Sequence, residues 1–257
     1  MNQTNSLQQT LPILLKSLRL PYMQQQWQEI ETRAIHEGWS HGQFLLALCE
    51  VEQQQRYSSR VQRYLKESGL PSAKSLSNFD FTCCPTVKEG LILQIAQDAS
   101  WLNRGENLLI FGPSGVGKTH LASAIGRSLI EFNVRVKFLS ATFLVQQLQQ
   151  AKVELQLPHL LEKLDKYDLL IIDDIGYVKK SEAETSVLFE LIAHRYEIKS
   201  LLITANQTFS EWDTIFADAT MTVAAIDRLV HHATIIEIRQ ESFRQKTAFA
   251  RSNSPGE

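Results

Sequence analysis

Cysteine is scarce in this chain: Cys49, Cys83 and Cys84 are the only three. An odd number with two adjacent is no disulfide framework, and the absence of any C-x-x-C pair excludes the usual zinc spacings. Reduced thiols in a cytoplasmic protein are the expectation. No run approaches ~18 uninterrupted apolar residues, so no membrane-spanning helix and no membrane partner are expected. The opening MNQTNSLQQT carries neither the basic segment nor the apolar core of a signal peptide. There is no internal repeat and no long low-complexity tract. An excess of either charge is also missing: 26 Lys+Arg stand against 28 Asp+Glu, a net charge of −2. Bulk charge therefore announces no nucleic-acid partner. Any DNA contact must come from local basic patches, whose reach is roughly 8 Å in physiological salt.

What is present is ordinary globular composition, 44% apolar and 21% charged over 257 residues, enough for one large domain and a smaller one. Residues 1–67 read as helical. Leu11, Leu14, Leu15 and Leu18 recur at helical spacing, and Met23, Trp27, Ile30 and Ala34 follow Pro21. A further helix begins near Ser40 with Phe44, Leu45, Leu48 and Val51 on one face. Two or three such helices make a small all-α N-terminal domain. Residues 68–78 (SGLPSAKSLSN) have linker composition. From 79 to 257 the pattern changes to short apolar runs alternating with helical stretches. The runs are 107–111, 134–139, 168–172, 200–205 and 233–238. Five such strands alternating with helices predict a three-layer α/β domain around a parallel sheet.

Residues 112–119, GPSGVGKT, satisfy G-x-x-x-x-G-K-[ST]. Glycines let the backbone wrap closely enough for its N–H groups to face phosphate oxygens. The helix that follows adds the positive end of its dipole. Lys118 would reach the β- and γ-phosphates, and the Thr119 hydroxyl would ligate Mg²⁺. The motif arises by chance in roughly one chain of this length per hundred. Here it also follows an apolar strand and opens a helix, as the chemistry requires. The expected ATP-binding residues are Gly112, Pro113, Ser114, Gly115, Val116, Gly117, Lys118, Thr119 and His120.

A second apolar strand ends in Asp173 and Asp174. Asp173 is expected to hold Mg²⁺ together with Thr119, and Asp174 to orient or deprotonate the attacking water. Asn206 follows the strand at 200–205, where it either positions that water or simply forms a turn. Arg228 and Arg244 are suited to the charge on a transferring phosphoryl group, although taken alone each reads more readily as a surface arginine.

Together these residues resemble the AAA+ ATPases, specifically the IstB-like transposition helpers and the related DnaC-like helicase loaders. The resemblance runs nearly end to end through LKSLRLPYMQQQW, EGWSHGQFLLALCEVE, FDF at 79–81, ENLLIFGPSGVGKTHLA, LLIIDDIGYV, LFELIAHRYE, SLLITANQTFSEW, AAIDRLVHHATIIEI and ESFRQK. It implies a five-stranded sheet of order 5-1-4-3-2 with a reduced lid. It makes Lys118 and Thr119 the Walker A pair, Asp173 and Asp174 the Walker B pair, Asn206 sensor 1, Arg228 an arginine finger given to a neighbouring subunit, and Arg244 sensor 2. It further implies Mg²⁺-dependent ATP hydrolysis, an ATP-dependent ring or helical homo-oligomer, sequence-independent binding of double-stranded DNA, and recruitment and stimulation of a cognate transposase. A helicase loader has the same motor with a different client. A nucleotide-gated scaffold lacks the need for the acidic pair, and a small-molecule kinase has no place for Asn206, Arg228 and Arg244. Candidate DNA contacts are Arg56, Arg60 and Arg63, which share one helix stripe with Lys66, together with Lys152, Lys179 and Lys180.

Overall fold

Proline at a first helical turn, apolar residues every three or four positions and a polar break near residue 40 build the helices of the N-terminal part. They are α1 (Asn2–Ser17), α2 (Pro21–Glu37) and α3 (His41–Ser68). The structure is a computed structural model, and it describes residues 2–176, 181–208, 211–212 and 219–239. The chain forms two compact units, Met1–Arg63 and Tyr64–Glu257, with the division inside α3. In the first unit Met23, Trp27, Ile30 and Leu48 are buried together, with Leu11, Leu15, Phe44 and Val51 packed around them. No helix among the described residues is long and apolar enough to cross a membrane.

The second unit continues with α4 (Glu89–Gln97), α5 (Ser100–Asn103), β1 (Asn107–Phe111), α6 (Lys118–Glu131), β2 (Val136–Ser140), α7 (Ala141–Val153) and α8 (Leu157–Leu164). Then come β3 (Leu169–Asp173), α9 (Glu182–Arg195), β4 (Ser200–Ala205), α10 (Ala219–Val230) and β5 (Ala233–Glu237). All strand pairs are parallel, in the order β2-β3-β4-β1-β5. This is the expected 5-1-4-3-2 sheet read from its other edge. β1, β3 and β4 are central and almost wholly buried, which is why they read as continuous apolar runs. Alternate residues serve opposite faces. Leu109, Leu170, Ile172, Leu201 and Ile203 join one core with Leu144, Leu148, Leu161, Val187, Leu191 and Leu229 from α7 to α10. Ile171 points the other way, against Gly126 of α6.

Two strands begin later than the apolar runs suggest. The N–H of Val134 returns to Leu129 and closes the end of α6. The N–H of Arg135 goes to the Asp168 carboxylate at 3.0 Å, while its carbonyl accepts from Asp168 and Leu169. Residues 134, 135 and 168 therefore form a side-chain-clamped entry, and the ladder proper starts at Val136 and Leu169. At the far end Ser140 pairs with Asp173, which carries β3 one residue beyond the expected 172.

Residues 68–78, whose composition is that of a linker, are packed within the second unit. Ser68 is buried, and Arg127 of α6 donates to the carbonyls of Pro71 and Lys74. The segment beyond residue 239, where the reduced lid and Arg244 are expected, lies outside the described residues, as do Lys179 and Lys180.

Candidate nucleotide-binding site

The loop between β1 and α6 crosses the carboxyl end of the sheet, beside the ends of β3 and β4. Its first glycine is dictated by space. A Cβ on Gly112 (φ +151°) would lie 2.5 Å from the Ile238 carbonyl oxygen. Gly117 opens α6, and a Cβ there would press on the Phe79 ring at 3.3 Å. The loop therefore lies against Ile238, just past β5, on one side and Phe79 on the other, and glycine permits both approaches.

Lys118 is 7% exposed. Its Nζ donates to the carbonyls of Gly112 and Pro113, both at 2.8 Å, and to Asn206 Oδ1 at 2.6 Å. All three acceptors are neutral oxygens. Asn206 uses its Nδ2 to donate to Asp174 Oδ1 at 2.9 Å. The Asp174 backbone N–H donates to Thr204 Oγ1 at 2.8 Å, and that hydroxyl donates to Asp173 Oδ1 at 2.7 Å. The other Asp173 oxygen accepts from Thr119 Oγ1 at 3.0 Å. A continuous circuit thus runs Lys118–Asn206–Asp174–Thr204–Asp173–Thr119 and returns to Lys118 through the peptide chain. It joins the expected pairs from three separate stretches of sequence.

Thr204 is the member that sequence reading overlooked. It is fully buried and pairs with Ile110 in the sheet. The available signal was a single hydroxyl inside the apolar run SLLITA, at a position where a buried polar group must find partners. Also overlooked was the wall formed by residues 74–84. The cleft over the loop holds about 310 Å³ and is lined by Lys74, Asn78, Phe79, Asp80, Cys83 and Cys84 as well as Ser114 through His120, Asp174, Thr204 and Asn206. Phe79 meets the His120 ring edge to face at 5.3 Å, and His120 Nε2 lies 3.0 Å from the Ser75 carbonyl. Hydrogen bonds from Thr82 and Cys83 hold the Asp80 carboxyl below its ordinary value.

The donor set suits a magnesium triphosphate. A buried ammonium, loop amides at the start of a helix, and a hydroxyl–carboxylate pair 3.0 Å apart are the groups that a phosphate chain and a hard cation require. Arg228 is not among the residues lining the cleft. It sits in the last turn of α10, donates to the Ala224 carbonyl at 3.0 Å and lies over the Phe189 ring at 5.1 Å. Two candidate DNA contacts already have anionic partners: Arg56 Nε is 2.6 Å from Glu52, and Lys152 Nζ is 2.6 Å from Glu190. Arg60 lies over the Tyr57 ring at 5.4 Å.

Residues 13–251 match the family described as IstB-like ATP binding protein. The chain belongs to that family. An insertion sequence ATP-binding protein of Sinorhizobium fredii is 51% identical to this IstB-like chain over 238 residues, covering 93% of the chain and 80% of the relative. One from Pseudomonas aeruginosa, named for the insertion sequence IS21, is 34% identical over 236 residues, with 92% and 89% covered. Among solved structures, the DnaC helicase loader superposes with a TM-score of 0.51 at 21% identity, over 58% of this chain and 86% of that one. AMPPCP-bound DnaA from Aquifex aeolicus gives 0.53 at 21% identity, with 72% and 56% covered. These likenesses place the fold among the P-loop AAA+ domains.

Proposed function

We propose that this IstB-like chain is a Mg²⁺-dependent ATPase that assembles on double-stranded DNA in the cytoplasm and recruits and stimulates the transposase of an insertion sequence. The single observation that carries the ATPase reading is the circuit from Lys118 to Thr119 through Asn206, Asp174, Thr204 and Asp173. It couples a phosphate-binding cation to two carboxylates at the end of a buried strand. The transposition reading rests on the relatives named as insertion sequence ATP-binding proteins.

In this reading Lys118 and the amides of residues 112–120 bind the phosphates. Thr119 and Asp173 hold the magnesium ion, which when bound neutralises phosphate charge. Asp174 accepts the proton of the attacking water, and Asn206 keeps that carboxylate aimed. Arg228 reaches the site of a neighbouring subunit, and Arg244 completes the site from its own chain. Residues 1–67 engage DNA and the transposase. No base-reading motif is present, so the DNA contact is to the backbone and independent of sequence. Arg56, Arg60, Arg63, Lys152, Lys179 and Lys180 are the candidates for that contact, and Arg56 and Lys152 also face carboxylates.

Nucleotide retention is the test. The intact protein should hold an ATP analogue at millimolar Mg²⁺, and Lys118→Ala should lose it. Asp174→Asn should keep binding and lose turnover. DNA affinity should fall steeply with salt, and immobilised protein should capture the transposase encoded beside it. Failure of the intact protein to retain nucleotide, with or without DNA, would overturn the reading.

A further inference from the structure

Every parallel strand begins at the edge opposite the phosphate loop, and there the topology brings two connections together. β4 and β5 flank β1 on either side, so the residues that lead into them meet over the start of β1. Glu197 lies in the connection from α9 to β4, and His231 and His232 lie in the connection from α10 to β5. Among the described residues, Glu197, His231 and His232 form a group whose ligand atoms all fall within 4.8 Å of one another.

We propose that Glu197, His231 and His232 form a binding site for one divalent transition-metal ion of the zinc class, separate from the nucleotide site. His231 Nδ1 and His232 Nε2 each lie 3.8 Å from the same oxygen, Glu197 Oε1. The two imidazole rings are 4.0 Å apart between centroids. Metal–nitrogen and metal–oxygen bonds of about 2.0–2.2 Å set tetrahedral ligand atoms roughly 3.3 Å apart. Closing from separations of at most 4.8 Å needs rotations of side chains that are 46–54% exposed, with water completing the coordination.

The backbone beneath these side chains is held in place. The Asn107 N–H donates to the His232 carbonyl at 2.7 Å, and the His231 N–H to the Asp227 carbonyl at 3.0 Å. Glu197 has φ +60°, an uncommon conformation for a residue with a side chain. Its backbone is in close contact with Gly105, where a Cβ would come within 2.8 Å of the Glu197 carbonyl carbon. Tyr196 supplies an outer partner. Its hydroxyl lies 2.6 Å from His231 Nδ1, and the Glu197 carboxylate acts on it. When the metal takes the imidazole nitrogen, the hydroxyl can serve the carboxylate alone and orient it. Two imidazoles and one carboxylate favour zinc, copper, nickel or cobalt over the oxygen-seeking magnesium, so the two sites would not compete for one ion.

Cobalt(II) titration of the full chain, followed by visible absorption, tests this. The expected result is one equivalent bound with nitrogen and oxygen ligation and without a thiolate charge-transfer band, which separates the site from Cys49, Cys83 and Cys84. His232→Gln, His231→Gln and Glu197→Gln should each weaken binding roughly tenfold or more, with unchanged circular dichroism. Binding of an ATP analogue, measured on the same samples, should be unaffected, so the outcome does not depend on the nucleotide reading. Absence of cobalt binding, a thiolate signature alone, or one-equivalent binding that survives the His231→Gln/His232→Gln double variant would each overturn the proposal.

Discussion

Asp174 stands in the left-handed region with φ +64°, a conformation that costs a side-chain-bearing residue of order 1–3 kcal/mol unless its surroundings enforce it. Two contacts enforce it: Thr204 Oγ1 accepts its N–H, and Asn206 donates to its carboxylate. Thr204 has one hydroxyl for two tasks, accepting from Asp174 and donating to Asp173. Thr204→Val preserves the shape and removes both. The buried groups left behind should cost about 1–3 kcal/mol. If that loss falls on the arrangement that reacts, turnover should drop roughly ten- to a hundredfold, while nucleotide affinity changes little because Lys118 and the loop are untouched. Measuring kcat beside analogue binding checks this, and an unchanged kcat would show that the circuit is not needed for hydrolysis.

At the scale of elements, single side chains close the helix and strand ends. Glu52 of α3 accepts the N–H groups of Tyr22 and Met23 at the start of α2, both at 2.9 Å. Burial pushes its carboxyl up, but those two amides and Arg56 outweigh burial and hold it below the ordinary 4.5. A depressed carboxylate contributes stability above its unfolded value and loses it as pH falls through the folded one. The intact protein should therefore lose stability below about pH 4.5 more steeply than Glu52→Gln does. At neutral pH the variant should be less stable by about 1.5–3 kcal/mol, the range for hydrogen bonds to a charged group. Urea unfolding at several pH values reads both effects.

Arg195 plays the same part where α8, β3 and β4 meet. It donates to the carbonyls of Leu164, Tyr167, Asp168 and Ser200 and to the Asp165 carboxylate. Burial draws its pKa down to about 10, so it remains a cation at neutral pH. Arg195→Met removes a donor shared by those oxygens, of which Leu164 keeps the Tyr167 N–H and Asp165 keeps His194, and should cost about 1–3 kcal/mol. A denaturation midpoint equal to that of the intact protein would show that water replaces it.

At the scale of the whole molecule, the position of Arg228 bears on whether one subunit suffices. Arg228 lies in the last turn of α10 over Phe189, outside the residues that line its own chain's nucleotide cleft. Arginines donated between subunits contribute about 10³–10⁵ in rate, or roughly 4–7 kcal/mol. Arg228→Ala should bind nucleotide normally and hydrolyse it hardly at all. Mixing it with Asp174→Asn should restore part of the activity, since the first variant offers an intact site and the second an intact arginine. No recovery in mixed assemblies would place Arg228 outside the reaction of its neighbour.

The primary sequence by itself determined the phosphate loop, because Gly112 to Thr119 are contiguous and their spacing is the chemistry. It also determined the helical N-terminal part and the five strands, since burial writes periodicity into neighbouring residues. Folding in three dimensions decided the rest. Thr204 joins Asp173 to Asp174 only because β4 lies beside β3. Residues 74–84 wall the cleft only because they pack against α6, which the linker-like composition of 68–78 conceals. Lys152 reads from the sequence as a candidate for DNA, and only the fold shows Glu190 of α9 beside it. The physical reason is one of range: hydrogen-bond spacing and hydrophobic period act over a few residues, whereas the partner of a buried hydroxyl or a surface cation is set by which distant segment the sheet order places next to it.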